Sequence, residues 1–184
     1  REVIVDIGAA ATPQTESPVH TTLGLCLSKG DRFDWAIQKA TELGVGAVTP
    51  LYSERVDFSI PPDRIEKRVA HWRQIVISAC EQCGRVSIPA VSSPQPLEQW
   101  VQSVAAEHKW VLHCDDHGAT RSGASKEAPV DAALLIGPEG GLTDQEVARA
   151  CENSFEVLQL GPRVLRTETA PVVALSALSV MWGE

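Results

Sequence analysis

The 184-residue sequence has no uninterrupted apolar run near the ~20 residues that cross a bilayer, which excludes a membrane-spanning helix and predicts a soluble chain. It opens with no charged-then-apolar leader, so export is not expected and a cytoplasmic location is. The dinucleotide fingerprint GxGxxG and the phosphate loop GxxxxGK(S/T) are both missing, which counts against a dinucleotide cofactor and against NTP hydrolysis. HExxH and GxSxG are absent as well. The five cysteines (Cys26, Cys80, Cys83, Cys114 and Cys151) are odd in number and scattered, which fits reduced thiols better than a disulfide framework. Cys80-Glu-Gln-Cys83 lacks a partner CxxC and closes a helical pattern, so it reads as packing in place of a metal or redox pair.

What is present is ordinary for a globular domain: 43% hydrophobic and 22% charged residues. A domain of this length buries roughly 70% of the surface its unfolded chain exposes, enough for a core without staples. The net charge is −8, unevenly spread. Residues 1–90 hold 10 Lys and Arg against 11 Asp and Glu; residues 91–184 hold 6 against 13. That balance favours a small-molecule enzyme. Arginines beside glycine-rich or helix-end segments (Arg32, Arg55, Arg85, Arg163, Arg166) keep RNA open as a partner.

Along the chain, residues 1–7 alternate like an edge strand, and Gly8 to Pro18 read as a linker. His20–Leu27 is a strand candidate and Ser28-Lys-Gly30 a turn. From Asp31 the period becomes helical, with Phe33, Ile37, Ala40 and Leu43 on one face and Gly44 as the stop. Gly46–Leu51 reads as a buried strand. Asp63-Arg-Ile-Glu66 has the form of a capping box, opening a helix that turns Val69, Trp72, Ile75, Val76, Ala79 and Cys80 inward and ends at Gly84. Further pieces are an extended Ile88–Val91, a helix over Leu97–Ala106, a buried strand at Trp110–His113 and a polar loop over Asp115–Pro129. Ala132–Ile136 reads as the central strand, and Thr143-Asp-Gln-Glu146 as a second capping box. Val157–Leu160 is another buried strand, and an apolar helix launched at Pro171 runs to Trp182. Strands alternating with helices predict an α/β fold with a mostly parallel sheet flanked by helices.

Two strand ends stop in turns without bulk: Gly137-Pro-Glu-Gly-Gly141 after Ile136, and Gly161-Pro-Arg163 after Leu160. Ligands bind beyond the carboxyl ends of strands in open α/β sheets, and glycines let a ligand approach the backbone. The helix capped after Gly141 offers free N–H groups. Each turn alone is readable as a tight turn needing positive φ; together with the turn after His113 they form a composite pocket. His113-Cys-Asp-Asp-His117 resembles a ligand cluster, but all its members lie in one stretch without distant partners, so no metal is expected.

The string Gly161-Pro-Arg-Val-Leu-Arg-Thr-Glu-Thr-Ala170, with Leu135-Ile-Gly-Pro-Glu-Gly-Gly141 before it, resembles the RsmE family of 16S rRNA (uracil-N3) methyltransferases of the SPOUT class. Ile37-Gln-Lys-Ala-Thr-Glu-Leu-Gly44, Ser53-Glu-Arg55 and Ala79-Cys-Glu-Gln-Cys-Gly-Arg85 look like markers of the same family, so the likeness runs from about His20 to the C-terminus. It implies a SPOUT methyltransferase fold over residues 20–184 with a C-terminal deep trefoil knot, a topology no pattern reading would propose. It implies that residues 1–19 are the remnant of an upstream PUA-like RNA-binding domain and its linker. S-adenosyl-L-methionine is the implied cofactor, held by Leu112 and His113, then Ile136, Gly137, Gly140 and Gly141, then Leu160, Gly161, Leu165, Thr167 and Thr169. Backbone groups of Gly137, Leu160 and Leu165 would hydrogen-bond the adenine and ribose, with apolar walls around the ring. A homodimer is implied too, for which the helix from Pro171 to Trp182 is a seam.

The implied acceptor is N3 of a uracil, a protonated imide nitrogen, so the proton must be removed or the anion stabilised. Arg166 is the candidate for stabilising charge on the uracil oxygens, and Glu139 or Glu168 the candidate base. An ion pair of Glu168 with Arg163 or Arg166 is the plainer reading of that carboxylate. Arg32, Arg55, Arg85 and Arg163 are candidate contacts to the RNA of the small ribosomal subunit. The acidic C-terminal half needs help from the upstream domain or the partner subunit to grip RNA. Alternatives are a SPOUT-type tRNA methyltransferase and a non-catalytic RNA-binding module.

Overall fold

The computed structural model describes residues 3–9, 11, 13–113 and 128–182. The elements follow in the order β1 (His20–Cys26), α1 (Arg32–Glu42), β2 (Ala47–Tyr52), α2 (Pro62–Cys83), β3 (Ala90–Val91), β4 (Gln95–Pro96) and α3 (Leu97–Ser103). They continue with β5 (His108–Leu112), β6 (Asp131–Ile136), α4 (Asp144–Glu152), β7 (Glu156–Leu158) and α5 (Thr169–Trp182). All strand pairs are parallel, in the order β3-β2-β1-β6-β5-β7, with β4 also paired to β2. The polar loop expected over Asp115–Pro129, and the Cys114 to His117 part of the ligand-like stretch, fall almost wholly outside the described residues.

Parallel sheets need cover on both faces, and β6 shows how its sequence meets that need. Ala132, Leu134 and Ile136 join one core with Phe33, Ile37, Trp72, Val76, Ala174 and Leu178, so α1, α2 and α5 cover that face. Ala133 and Leu135 join the other, with Trp100, Val101, Ala150 and Phe155 of the α3–α4 layer. Leu134 and Leu135 are both fully buried, and each such side chain contributes about 1.5–3 kcal/mol relative to exposure. Apolar residues at every position from Ala132 to Ile136 are thus the signature of a two-faced strand.

Several boundaries differ from those expected. Asp63 is no N-cap: α2 starts at Pro62 after Pro61, with no side-chain cap. Proline at the first helical position has its φ preset and lacks an N–H that would be orphaned anyway, so Pro62 starts the helix earlier than the aspartate could. The second capping box is present, with Glu146 N–H donating to Thr143 Oγ1 (3.2 Å) and Thr143 N–H to Glu146 Oε2 (2.8 Å). Helix α1 ends as the glycine stop requires: Gly44 has φ +84° and Val45 N–H reaches back to Ala40 O. Of the strand expected over residues 1–7, the described residues 3–7 form none; Val3, Ile4, Val5 and Ile7 are exposed and pair with no sheet edge among the described residues. Helix α3 stops at Ser103, where Val104 turns extended, short of the expected Ala106. Strand β7 covers only Glu156–Leu158, and the chain leaves the sheet before Leu160.

Candidate active site

The register of the sheet places three strand ends side by side. Leu112 of β5 pairs with Ile136 of β6 on one side and with Leu158 of β7 on the other. Beyond this row lies a cleft of about 280 Å³, near the lower end of the roughly 300–1,000 Å³ of small-ligand pockets. Leu112 and His113 line it from β5; Ile136, Gly137, Gly140 and Gly141 from the end of β6; Leu160, Leu165 and Thr167 from the segment after β7. Nine of the eleven residues expected at a cofactor therefore converge there. Gly161 and Thr169 are not in the lining. Gly161 stands at φ +95° and shapes the turn, while Thr169 opens α5.

The walls are largely apolar, and Leu142, Leu158 and Val164 add to them. These three went unread in the sequence, although the register makes Leu158 a neighbour of Leu112. A Cβ on Gly137 would come within 2.9 Å of Leu142 Cγ and 3.1 Å of Leu142 N, so the glycine lets Leu142 pack closely against the end of β6. Walls of this kind suit a ligand that lays a flat ring against aliphatic side chains. Among the described residues, no group of three or more His, Cys, Asp or Glu is placed to hold a metal ion.

A second cavity, about 590 Å³, adjoins the first. Lys29, Gly30, Asp31 and Arg32 line it from the β1–α1 turn, and Asp57 from the loop after β2. Arg55, Glu139 and Gly140 belong to both cavities and form the wall between them. Arg55 Nη1 donates to the carbonyls of Gly140 (2.6 Å) and Leu142 (3.4 Å). Glu146, beyond its cap, accepts the Glu54 N–H at 2.9 Å. The 53–55 and 138–146 loops thus hold each other, which makes Arg55 a clamp on the glycine turn. Arg32 pairs with Glu139 at 2.8 Å, and Lys29 with Asp57 at 2.5 Å.

The remaining charged candidates separate. Arg163 lines the cleft. Arg166 is 81% exposed and 4.0 Å from Glu168, whose Oε2 is buried without a hydrogen-bond partner among the described residues. Neither of these two lines either cavity. Arg85 is a correction to its reading as an RNA contact. Its side chain is only 6% exposed, and its Nη1 donates to the carbonyls of Thr41 (2.9 Å) and Val45 (2.8 Å) at the end of α1. Helix ends leave carbonyls without intrahelical partners, and Arg85 supplies them. Its Nε and Nη2 donate to Glu16 Oε2 at 3.0 and 2.6 Å. Partial burial pushes the Glu16 carboxyl upward, but hydrogen bonds from Arg85, Ser87 and Val86 prevail and hold it below its ordinary value.

An open parallel sheet, helices on both faces and a glycine-edged apolar cleft at the strand ends define a ligand-binding α/β domain, and residues 15–179 match the model of an RNA methyltransferase domain. The ribosomal RNA small subunit methyltransferase E of Buchnera aphidicola (subsp. Schizaphis graminum) is 36% identical over 92% of this chain and 68% of its own. A methyltransferase of Legionella pneumophila, solved in complex with bound SAM, superposes with a TM-score of 0.84 at 42% identity, covering 90% of this chain and 67% of that one. The ribosomal RNA small subunit methyltransferase E of Neisseria gonorrhoeae, solved bound to S-adenosyl methionine, gives 0.84 at 39%, covering 94% and 70%. The chain belongs to the ribosomal RNA small subunit methyltransferase E family, and spans about two thirds of the length of these relatives.

Proposed function

We propose that the chain binds S-adenosylmethionine in the glycine-edged cleft and methylates N3 of a uridine in the 16S rRNA of the small ribosomal subunit. One observation carries this reading: three separate chain segments, each expected at a cofactor, converge on one cleft. The Neisseria relative bound to S-adenosyl methionine supports the identity of the ligand. The aliphatic walls fit an adenosine moiety. Leu112 and His113, the two glycine turns and the Leu165–Thr169 segment would hold it, with Gly161 and Thr169 acting through the loop conformation.

When bound, the cofactor supplies an electrophilic methyl group on a cationic sulfur. The acceptor base is seated in the second cavity, across the Gly140 wall. Uracil N3 carries a proton, so the chain must remove it or stabilise the anion. Glu139, which lines both cavities and pairs with Arg32, is the first candidate to accept that proton. Glu168 is the second candidate, because its buried Oε2 lacks a donor among the described residues. Arg166, on an exposed side chain, would stabilise charge on the uracil oxygens, while Arg32, Arg55 and Arg163, which line the cavities, would contact the RNA.

The reading extends to the architecture. The segment between β7 and α5 is the expected site of a trefoil knot. Residues 1–19 are the tail and linker of an upstream PUA-like domain, and the exposed Val180 and Met181 support α5 as the seam of a homodimer. The place of work is the cytoplasm, where ribosomes are assembled. The test is methyl transfer to purified small subunits lacking the modification, mapped by the block that N3-methyluridine puts on reverse transcription. One new block in 16S rRNA is expected and none in tRNA. Transfer to tRNA instead would change the acceptor class. Calorimetry showing no S-adenosylmethionine binding would leave a non-catalytic RNA-binding module.

A further inference from the structure

Charge is distributed unequally across the sheet. The α3–α4 layer carries Glu98, Asp144, Glu146 and Glu152 against the single Arg149. On the other layer, α2 carries Arg64, Lys67, Arg68, His71 and Arg73 against Asp63 and Glu66 over its first twelve residues. Residues three, four and seven apart share a helix face, so Arg64, Lys67, Arg68 and His71 form one stripe, with Arg73 off it. Val69, Trp72 and Val76 of α2 are buried, so the stripe lies on the helix flank beside the core face. Arg64, Lys67 and His71 are exposed and Arg68 is half-buried. Arg64 and Lys67 have no ion pair among the described residues.

The stripe and the second cavity both meet the first turn of α1. His71 Nε2 lies 2.6 Å from Asp34 Oδ2, Trp72 Nε1 donates to Asp34 Oδ1 at 3.0 Å, and Arg68 Nη2 reaches the same oxygen at 3.5 Å. Asp34 sits in the first turn of α1, two residues after Arg32, which lines the cavity. The Arg68 guanidinium also lies over the Trp72 ring, 5.3 Å from its centroid, which fixes its direction. From Arg64 to His71 the stripe runs about 10 Å along the helix axis. That is roughly three nucleotide steps of one duplex strand.

We propose that Arg64, Lys67, Arg68 and His71 of α2 form a phosphate track that guides the rRNA backbone toward the cavity bounded by Lys29, Arg32 and Arg55. The inference rests on the rRNA reading given above. It gives a chain of net charge −8 a local run of cations for a polyanion: Arg64, Lys67, Arg68 and His71 share one helix face, with Asp63 and Glu66 on the same helix and Asp34 against Arg68 and His71. Such contacts position the RNA and carry no base specificity.

The experiment compares the wild-type chain with Arg64→Gln/Lys67→Gln and with Arg73→Gln, the control from outside the stripe. Binding of 16S rRNA is measured between 50 and 200 mM salt, and S-adenosylmethionine binding is measured on every variant by calorimetry. Removing two phosphate contacts lowers the slope of log affinity against log salt by about 1.4–1.8. The double variant is therefore expected to lose about 7- to 12-fold less affinity than wild type over that fourfold salt range. Arg73→Gln should follow wild type, and cofactor affinity should be unchanged throughout. A double variant that keeps the wild-type slope, or an Arg73→Gln as affected as the double variant, would overturn the track while leaving the function intact. Weakened binding to whole small subunits with none to naked rRNA would point to a ribosomal protein and overturn it too. Wild-type protein that binds S-adenosylmethionine but rRNA at no salt would remove the rRNA reading itself.

Discussion

Replacing Arg55 by methionine separates two roles that an arginine beside a nucleic-acid site can have. The side chain touches the glycine turn, donating to Gly140 O at 2.6 Å and Leu142 O at 3.4 Å. Methionine keeps most of the aliphatic stem that lies against Gly140, and removes only the donors. A hydrogen bond from a charged donor contributes about 1.5–3 kcal/mol, and the exposure of this one argues for the lower end. The Glu54 N–H to Glu146 bond survives, so the loops stay tethered and the loss is confined to the turn. A cost of about 1.4 kcal/mol in holding the turn corresponds to a tenfold weaker ligand. Calorimetry should therefore show S-adenosylmethionine bound on the order of tenfold more weakly by Arg55→Met, with lysine intermediate because it offers a point charge without the fork. If Arg55 only touches RNA, cofactor affinity will not move and the KM for small subunits will rise. An unchanged cofactor Kd in a folded Arg55→Met protein would refute the clamp.

Gly24→Ala should destabilise the fold by about 1–3 kcal/mol in urea unfolding, as overpacking does, because the new Cβ would meet the Trp100 ring at 2.6 Å; an unchanged midpoint would mean the indole yields freely. Glu16→Gln should cost stability near neutral pH through its loss of charge toward the nearly buried Arg85, and the cost should fade in acid. The sign follows from the carboxyl's lowered folded value: its contribution is complete above the unfolded value of about 4.3 and is lost as pH falls through the folded value. Paired unfolding curves from pH 7 to 3 test this, and a difference that grows toward acid would contradict it.

The parts legible in the sequence were those whose signals are local. Ala132–Ile136 is apolar at every position because both faces of β6 are covered, and the run can be read without knowing what covers it. The Thr143–Glu146 capping box and the glycine stop at Gly44 are complete within a few residues. Arg85 shows the opposite case. Its acceptors, Thr41 and Val45, lie about 40 residues away in sequence, so nothing beside it distinguishes a buried helix cap from a solvent-facing RNA contact. Pro61-Pro62 outranked Asp63 because a preset φ acts before a side chain can choose its partner. Leu142 and Leu158 entered the cleft through strand register, and register is settled by pairing.

The pairing of the two cavities constrains how the glycines at 140 and 141 are used. Gly141 needs its positive φ of +72°, which an L side chain rarely adopts. Gly140 has no such strain, and a Cβ there would meet the Arg55 stem at 3.4 Å, which is tight but no collision. Backbone geometry therefore explains one glycine and leaves the other to be explained by what must pass. If, as proposed, the cofactor lies on one side of the wall and the acceptor base on the other, the methyl group would cross at Gly140, between Arg55 and Glu139. A side chain at that point would lengthen the approach of the reacting atoms, and catalysis by proximity tolerates little of that: an error of about 1 Å can cost a hundredfold in rate. On that proposal the absence of a side chain at Gly140 would belong to the chemistry, and Arg55, which donates to Gly140 O and Leu142 O, would hold the opening in place.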